Sequence, residues 1–290
     1  MTIRKKTLLI IGVTFVGLVV ILYFVSQNIL LTSFARLEEQ ETREHIERVV
    51  AALENDIAFI DATADDWATW DDTYAFIEDK NADYLKSNLI DGTFVNLRLN
   101  FMVYVDSAHK VIFAKAVDLI SEKEMPFPAG LLGHVTTNEP LCCHDKTDSS
   151  VSGIILLPDK AALVASRPII TSEGKGPIRG ALIMGRFLDS AEIERLSETT
   201  LLSVSAFRVD DKRMPADFRS ALTGLSLKEP VGVRVLDEMI VAGYSLVSDI
   251  YGKPGFVFRA DMPRDIYQQG QTSITYIILS IVLVGLVLGL

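Results

Sequence analysis

The stretch from Ala64 to Asp79, ADDWATWDDTYAFIED, gathers the side chains of this chain best suited to chemistry: Trp67, Trp70, Asp71, Asp72 and Tyr74. Aromatic faces beside a carboxylate can hold a cationic or apolar body and fix its orientation. Paired carboxylates can also share the acid and base roles of a hydrolysis. Adjacent helical residues differ in direction by about 100°, however, so Asp71 and Asp72 diverge and cannot converge on one substrate atom. No nucleophile with an activating base accompanies them, and no residue is assigned as catalytic.

Two readings of the segment stay open, with an ectoenzyme using Asp71 or Asp72 as the alternative. In the first, the aromatics and Asp71 lock a helix to a globular head. In the second, the same face lines a ligand pocket. On a helical wheel Trp67, Trp70, Asp71, Tyr74 and Ile77 share one broad face, with Asp65, Asp72 and Phe76 opposite. Asp71 then occupies a packing position, where a carboxylate must find partners because an unpaired buried charge is costly. The candidates are the indole N–H groups, the Tyr74 hydroxyl, or an arginine: Arg98, Arg167, Arg179 or Arg186. Replacing Asp71 by Asn should lower the melting temperature.

A second cluster, Cys142, Cys143 and His144, contains both cysteines of the chain. It could hold a soft metal or oxidise to a vicinal disulfide, and it could equally be an irregular polar loop with incidental thiols. Two cysteines and one histidine do not make a closed zinc site. No metal or cofactor is therefore assigned, and these three residues stand as candidates only.

The elements that must position these groups follow from periodicity. Between Gln27 and Asp79 there is no Pro or Gly, and Ile46, Val50, Leu53, Ile57, Ile60, Ala64, Trp67, Asp71 and Tyr74 recur at alternating spacings of four and three. That is the seam of a coiled coil or of a helix packed along its length. A continuous helix of about 50 residues would reach about 75 Å, unless it breaks near ARLEEQETRE, where the seam slips. The seam suggests a parallel homodimer, although the chain's own sheet could fill the same stripe. Beyond Asn81 come a shorter helix, a β-hairpin turning at Asp106–Lys110, an irregular stretch over 121–150, and strands separated by turns at Pro158–Lys160 and 172–177. This gives an antiparallel meander of about five strands on helices, an α+β class. SAEIERLSETT reads as a helix capped by Asp189 or Ser190. A smaller α/β set follows up to residue 261.

Hydrophobic residues make up 49% of the 290, and the mean hydropathy is +0.29. The excess lies in two uncharged runs, Thr7–Ser26 and Thr272–Leu290, each long enough to cross a bilayer core of roughly 30 Å as a helix. The first run exceeds a signal-peptide core and lacks a small-residue cleavage site, which favours a retained span. Arg4, Lys5 and Lys6 place the N-terminus in the cytoplasm and residues 27–271 outside. The second run reaches the last residue of the sequence, and a longer protein is expected. The chain carries a net charge of −10, concentrated between the spans, which argues against nucleic acid as a partner.

The segment DDWATWDDTYAFIED, placed well beyond a membrane span, resembles the hallmark of the fourth class of CHASE domains, extracellular sensory domains of cyclases and histidine kinases. YLKSNL, NLRLNFMVYVD, GIILLPDKAALVASRPIITSEGKGPIRGALIMGRFLD and YGKPGFVFRADMPRDIY resemble the later blocks of that family, in the same order. The resemblance implies a PAS-like (Cache-related) sensor and a role in signal input, with a histidine kinase, or else a diguanylate cyclase, beyond Leu290. It covers neither 121–150 nor the amino-acid-binding signature of Cache domains.

The resulting expectation is a long membrane-emergent helix packed on PAS-like antiparallel sheets and flanked by two spans. Its parts are a tail (1–6), a span (7–26), a sensor (27–271) and a second span (272–290). Within the sensor lie the long helix (27–79), a main module (80–188) and a smaller membrane-proximal part (189–271). The segment shown is not expected to be an enzyme. Its partners would be the membrane, a small-molecule ligand and a second copy of itself.

Overall fold

The computed structural model describes residues 3–135 and 139–289. The start of the expected tail, part of the irregular stretch 121–150, and Leu290 lie outside them. Helix α1 (Ile3–Val25) continues through a π-helical segment, Ser26–Leu30, into α2 (Leu31–Ala68). With no proline or glycine to interrupt it from Gln27 onward, the helix runs unbroken across ARLEEQETRE. The seam slips there because polar residues hold the inner positions: Glu38 and Thr42 are buried in line with Ile46, Val49, Leu53, Ile60, Ala64 and Trp67. Val49, not Val50, carries the seam at that turn.

The expectation of one helix to Asp79 is corrected. Helix α2 ends at Ala68; Thr69 leaves the helical region and Trp70 is extended (φ −77°, ψ 135°). Three bonds end it. Thr69 Oγ1 donates to Asp65 O at 3.0 Å, Thr69 N–H donates to the same carbonyl at 3.1 Å, and Ile170 N–H takes the Ala68 carbonyl at 3.1 Å. Helix α3 (Asp71–Asp79) then restarts with Asp71 and Asp72 in its first turn, where carboxylates suit the helix dipole. The restart resets the phase. The buried face of α3 is Thr73, Phe76 and Ile77, so the wheel that placed Phe76 outside and Asp71 inside does not hold.

Helices α4 (Ala82–Asn88) and α5 (Asp91–Leu97) precede a six-stranded antiparallel sheet: β1 (Phe101–Asp106), β2 (Val111–Asp118), β3 (Lys123–Met125), β4 (Val151–Leu156), β5 (Ala161–Pro168) and β6 (Gly180–Phe187). The order is β3-β2-β1-β6-β5-β4, closed in the middle by β1 against β6 from Phe101↔Gly185 to Asp106↔Gly180. The extra strand is β3, a three-residue edge with little apolar character. Met102, Tyr104, Leu163, Ala165, Leu182 and Met184 face the helices, and Phe101, Val103, Val105, Val164 and Ile183 face the other way under Leu131, Val135 and Leu141. Both faces are covered, which is why these strands read as continuous apolar runs.

After α6 (Ser190–Thr200), strands β7 (Ser203–Arg208), β8 (Val231–Val235), β9 (Ile240–Ser248) and β10 (Pro254–Pro263), with α7 (Ala216–Leu222), build a second antiparallel sheet in the order β7-β10-β9-β8. Both sheets pack on α2, and one apolar core holds residues of the helix and of both sheets. Helix and β9 approach so closely that a Cβ on Gly243 would lie 2.9 Å from Ile46 Cβ and 3.0 Å from Thr42 O. Helix α8 (Asp265–Gly289) follows β10 and lies along α2 and α1. The continuous helix Lys5–Ala68 and the segment Asp265–Val287 of α8 are each long and apolar enough to cross a membrane.

Candidate functional site

The site is the seam between α2 and the first sheet, and it is built of carboxylates on the helix and arginines on the sheet. Asp56, Asp61 and Asp65 project from α2 beside its apolar stripe. Arg167 on β5 grips Asp61 with Nε donating to Oδ1 at 2.7 Å and Nη2 donating to Oδ2, and its Nη1 lies 3.2 Å from Asp65. Ser150 Oγ donates to the same Asp61 at 2.7 Å. This forked geometry makes a directional joint rather than a loose surface pair. The bonds to Asp61 hold the Arg167 guanidinium above its ordinary pKa.

One layer along the helix, Arg186 on β6 is 2% exposed. Its Nε donates to the Arg98 carbonyl at 2.7 Å, and its Nη1 donates to Glu192 at 3.0 Å and lies 3.6 Å from Asp56. Arg195 on α6 donates to Asp56 and to Glu192, the latter at 2.8 Å. Arg98 ends α5 in the left-handed region (φ 55°), which turns its carbonyl to Arg186, while its own guanidinium reaches Glu192 at 3.4 Å. Burial lowers the Arg195 pKa. A buried pair of this kind contributes little net stability, but removing one partner strands the other.

Beside this network opens a cleft of about 410 Å³ lined by Arg98, Lys160, Arg186 and Arg195 together with Asp118, Asp189 and Glu192. The cations outnumber the carboxylates on its wall.

The aromatic segment sits at the top of α2. Trp67 is buried and Trp70 half-buried, stacked with centroids 4.6 Å apart and planes 24° from parallel. Asp71 is exposed and finds neither arginine nor indole. Its Oδ1 accepts the Ser172 N–H at 3.0 Å and its Oδ2 the Ser172 hydroxyl at 2.8 Å, which lowers its pKa, the backbone bond being the larger cause. Asp72 is exposed. Tyr74 carries the Arg179 guanidinium on its ring at 3.7 Å, and its carbonyl accepts from Arg179 Nη1 at 2.8 Å. The expected buried Asp71 is therefore replaced by an exposed clip to the β5–β6 loop, and the melting-temperature loss expected of Asp71→Asn becomes small.

None of the arginines expected as partners of Asp71 binds it; Arg167 and Arg186 instead join the sheet to α2 through Asp56, Asp61 and Asp65. Those carboxylates flank the seam instead of occupying it; the four-residue spacing of Asp61 and Asp65 on one side of α2 is a signal for that pair, whereas Asp56, five residues before Asp61, lies on the opposite flank and has no such spacing. Also unanticipated is the hydroxyl chain under α3, Thr73 Oγ1 to Tyr84 OH at 2.7 Å and on to Tyr104 OH at 3.2 Å, with burial pushing both phenols up.

His144 does not join the thiols. Its Nδ1 lies 2.7 Å from Ser149 Oγ and its Nε2 2.9 Å from Ser166 Oγ. Both ring nitrogens are thereby engaged by hydroxyls, and the histidine brought beside Cys142 and Cys143 is His109.

Comparison with known proteins bears on this architecture. Over 289 residues the chain is 27% identical to the methanogenesis regulatory histidine kinase FilI of Methanothrix harundinacea, covering 100% of this chain and 32% of that protein. The chain therefore spans about a third of the length of that relative. Among solved structures, the extracellular domain of vpHK1S-Z8, a protein named as a histidine kinase, superposes with a TM-score of 0.54 at 10% identity over 84% of this chain and 96% of that one. A domain of a sensory box/GGDEF family protein from Vibrio parahaemolyticus gives 0.54 at 10% identity over 82% and 99%. These two likenesses show the fold, a helix-backed pair of antiparallel sheets. Residues 52–206, more than half of the chain, match the CHASE4 domain, and this signal-input chain belongs to the CHASE4 family.

Proposed function

We propose that this chain is the extracytoplasmic input of a two-span receptor whose output is a histidine kinase. Residues 1–6 would face the cytoplasm, 7–26 and 272–290 would span the membrane, and 27–271 would face outward, with 80–188 as the main sensing module and 189–271 as the membrane-proximal one. The charge of Arg4, Lys5 and Lys6 supports this orientation, and the likeness to FilI supports the kinase over a diguanylate cyclase. A small molecule bearing an anionic group is the ligand class that the cation-rich cleft at Arg98, Arg186 and Arg195 favours, because such a group would compete with Glu192 for the guanidinium groups.

The observation that carries the reading is the unbroken helix Lys5–Ala68, clamped by arginines of the sheet at one end and entering the apolar span at the other. Binding that favours one arrangement of Arg186, Glu192 and Asp56 shifts the population of helix positions, provided its affinity differs between the two states. The homodimer would use the outer face of α2, where Leu37 and Phe59 are exposed, since the seam itself is filled by the chain's own sheets.

The test places the chain on a histidine-kinase output in membrane vesicles and compares autophosphorylation of the parent with Asp61→Asn and Glu192→Gln. Basal activity should shift several-fold in both variants while the amount inserted stays constant. Equal activity of all three, with both spans inserted, would discard the reading.

A further inference from the structure

The thiols of Cys142 and Cys143 and a ring nitrogen of His109 all lie within 4.8 Å of one another. Three donors bound to one metal at roughly 2.0–2.3 Å are separated by no more than about 4.6 Å, so this cluster is of the size that one ion can bridge. His109 Nδ1 is buried and, among the described residues, has no hydrogen-bond partner, an expense for a polar atom.

Both sides of the cluster are held in place by the fold. On the hairpin side, Asp106 Oδ1 accepts the N–H groups of Ala108 and Lys110, each at 2.9 Å, and the Asp106 carbonyl accepts His109 N–H at 2.9 Å. This turn places His109 in the left-handed region, φ 59°. On the loop side, buried Ser166 of β5 donates its hydroxyl proton to Leu141 O at 2.6 Å, so His144 Nε2–H is the donor to Ser166 Oγ. One serine thus anchors the residues on both sides of the dicysteine. Cys142 is buried at 5% exposure and donates to Glu139 O at 3.3 Å, while Cys143 opens to solvent. Their sulfurs are 3.2 Å apart, well beyond a disulfide bond of about 2.05 Å.

We propose that His109, Cys142 and Cys143 form a binding site for a thiophilic cation of low coordination number, the Cu(I) class. Soft thiolates select such ions. The cluster offers three donors among the described residues, one fewer than the tetrahedral set of a structural zinc site. Binding replaces the two thiol protons, which leave to solvent, and with a monovalent cation the complex carries one negative charge. The ion would tie the β1–β2 turn to the loop that covers the outer face of the first sheet. The assignment is independent of the receptor reading.

The test is titration of the whole chain in detergent with Cu(I), anaerobically and against a chromophoric Cu(I) chelator, followed by X-ray absorption of the loaded protein. One ion per chain with two sulfur ligands and one nitrogen ligand is expected. Cys143→Ser and His109→Gln should each weaken binding by more than the roughly 10–100-fold that an outer-shell change costs, and His109→Gln should remove the nitrogen ligand. Circular dichroism should show both variants folded; Cys143 is exposed, so its substitution leaves the core intact. Failure to compete with the chelator, or full affinity in Cys143→Ser or His109→Gln, overturns the site. A chain isolated without reductant that holds no metal and is lighter by about two daltons overturns it in favour of a vicinal disulfide.

Discussion

Glu38 of α2 and Arg264, which immediately precedes α8, form a nearly buried ion pair: Arg264 Nε donates to Oε2 at 3.0 Å, with side-chain exposures of 6% and 12%. The other oxygen of Glu38 accepts Tyr267 N–H at 3.2 Å, in the first turn of α8. A carboxylate from one membrane-directed helix therefore caps the other. The two helices also touch where the absent side chain of Gly270 leaves room for Phe34, whose ring carbon would stand 2.5 Å from a Cβ there.

Glu38→Ala should strand Arg264 and release the start of α8. The expected loss is about 3–5 kcal/mol, the usual cost of breaking a buried pair from one side. Glu38→Gln, which can still accept from Tyr267, should lose less. Thermal unfolding of the detergent-solubilised chain, followed by circular dichroism, checks the order; equal stability of the alanine variant and the parent would contradict the coupling.

Asp61→Asn and Arg167→Ala should each destabilise, and the double variant should lose much less than their sum. A coupling energy of about 1–3 kcal/mol is expected for two groups joined by two hydrogen bonds. Denaturant melts of the four proteins supply the cycle. Additive losses would mean that the fork between helix and sheet carries no energy of its own.

Trp67 and Trp70 are the chain's two tryptophans, so intrinsic fluorescence reports on the joint between α2 and α3. The Asp71 pKa lies below its ordinary 3.8 because Ser172 binds the charged form, first through its N–H and then through its hydroxyl. A lowered acid stabilises above the unfolded value and loses that contribution as pH falls through the folded one. The clip should therefore be intact at neutral pH and release only below about pH 3.8. An acid titration of tryptophan emission should show a component in that range that is missing from Asp71→Asn. An identical titration in the variant would detach Asp71 from the joint.

Gly243→Ala should destabilise by about 1–3 kcal/mol through overpacking, because its methyl would meet Ile46 and the Thr42 carbonyl. Gly174→Ala, in the loop where nothing lies within 4 Å, serves as the comparison, although its positive φ carries a modest cost of its own. A melting temperature lower for Gly174→Ala than for Gly243→Ala would refute the close approach of helix and sheet.

Much of this architecture was legible because its signals are local. The hairpin at Asp106–Lys110, the Asp189 cap, and the strands after Pro158–Lys160 and 172–177 all follow from short-range chemistry. The α2 seam was read from spacing, with the phase wrong by one residue at Val49 and blind to Glu38 and Thr42, whose burial is satisfied by partners distant in the chain. The break at Thr69 was hidden because no proline or glycine marks it; the helix ends when Ile170, just beyond the end of β5 and about a hundred residues away in sequence, captures the Ala68 carbonyl. The pairing of Asp56 and Asp61 with Arg186 and Arg167 likewise depends on α2 packing across β5 and β6, a contact that no local window contains. The same limit sent the cysteines to neighbouring His144, when the fold brings them His109.

The π-helical segment Ser26–Leu30 has a geometric consequence for everything beyond it. A π turn takes in about one residue more than an α turn, so the downstream helix is rotated by about 100° relative to a regular α-helix of the same sequence. The segment sets the angular offset between the face that α1 shows Gly285 and the face that α2 shows its arginines, much as a spline sets two gears on one shaft. Winding the same residues as regular α-helix would turn Asp56 and Asp61 out of reach of their partners, or else swing Phe15 away from Gly285, whereas deleting one residue there would turn the π turn into an α turn and leave both faces in place.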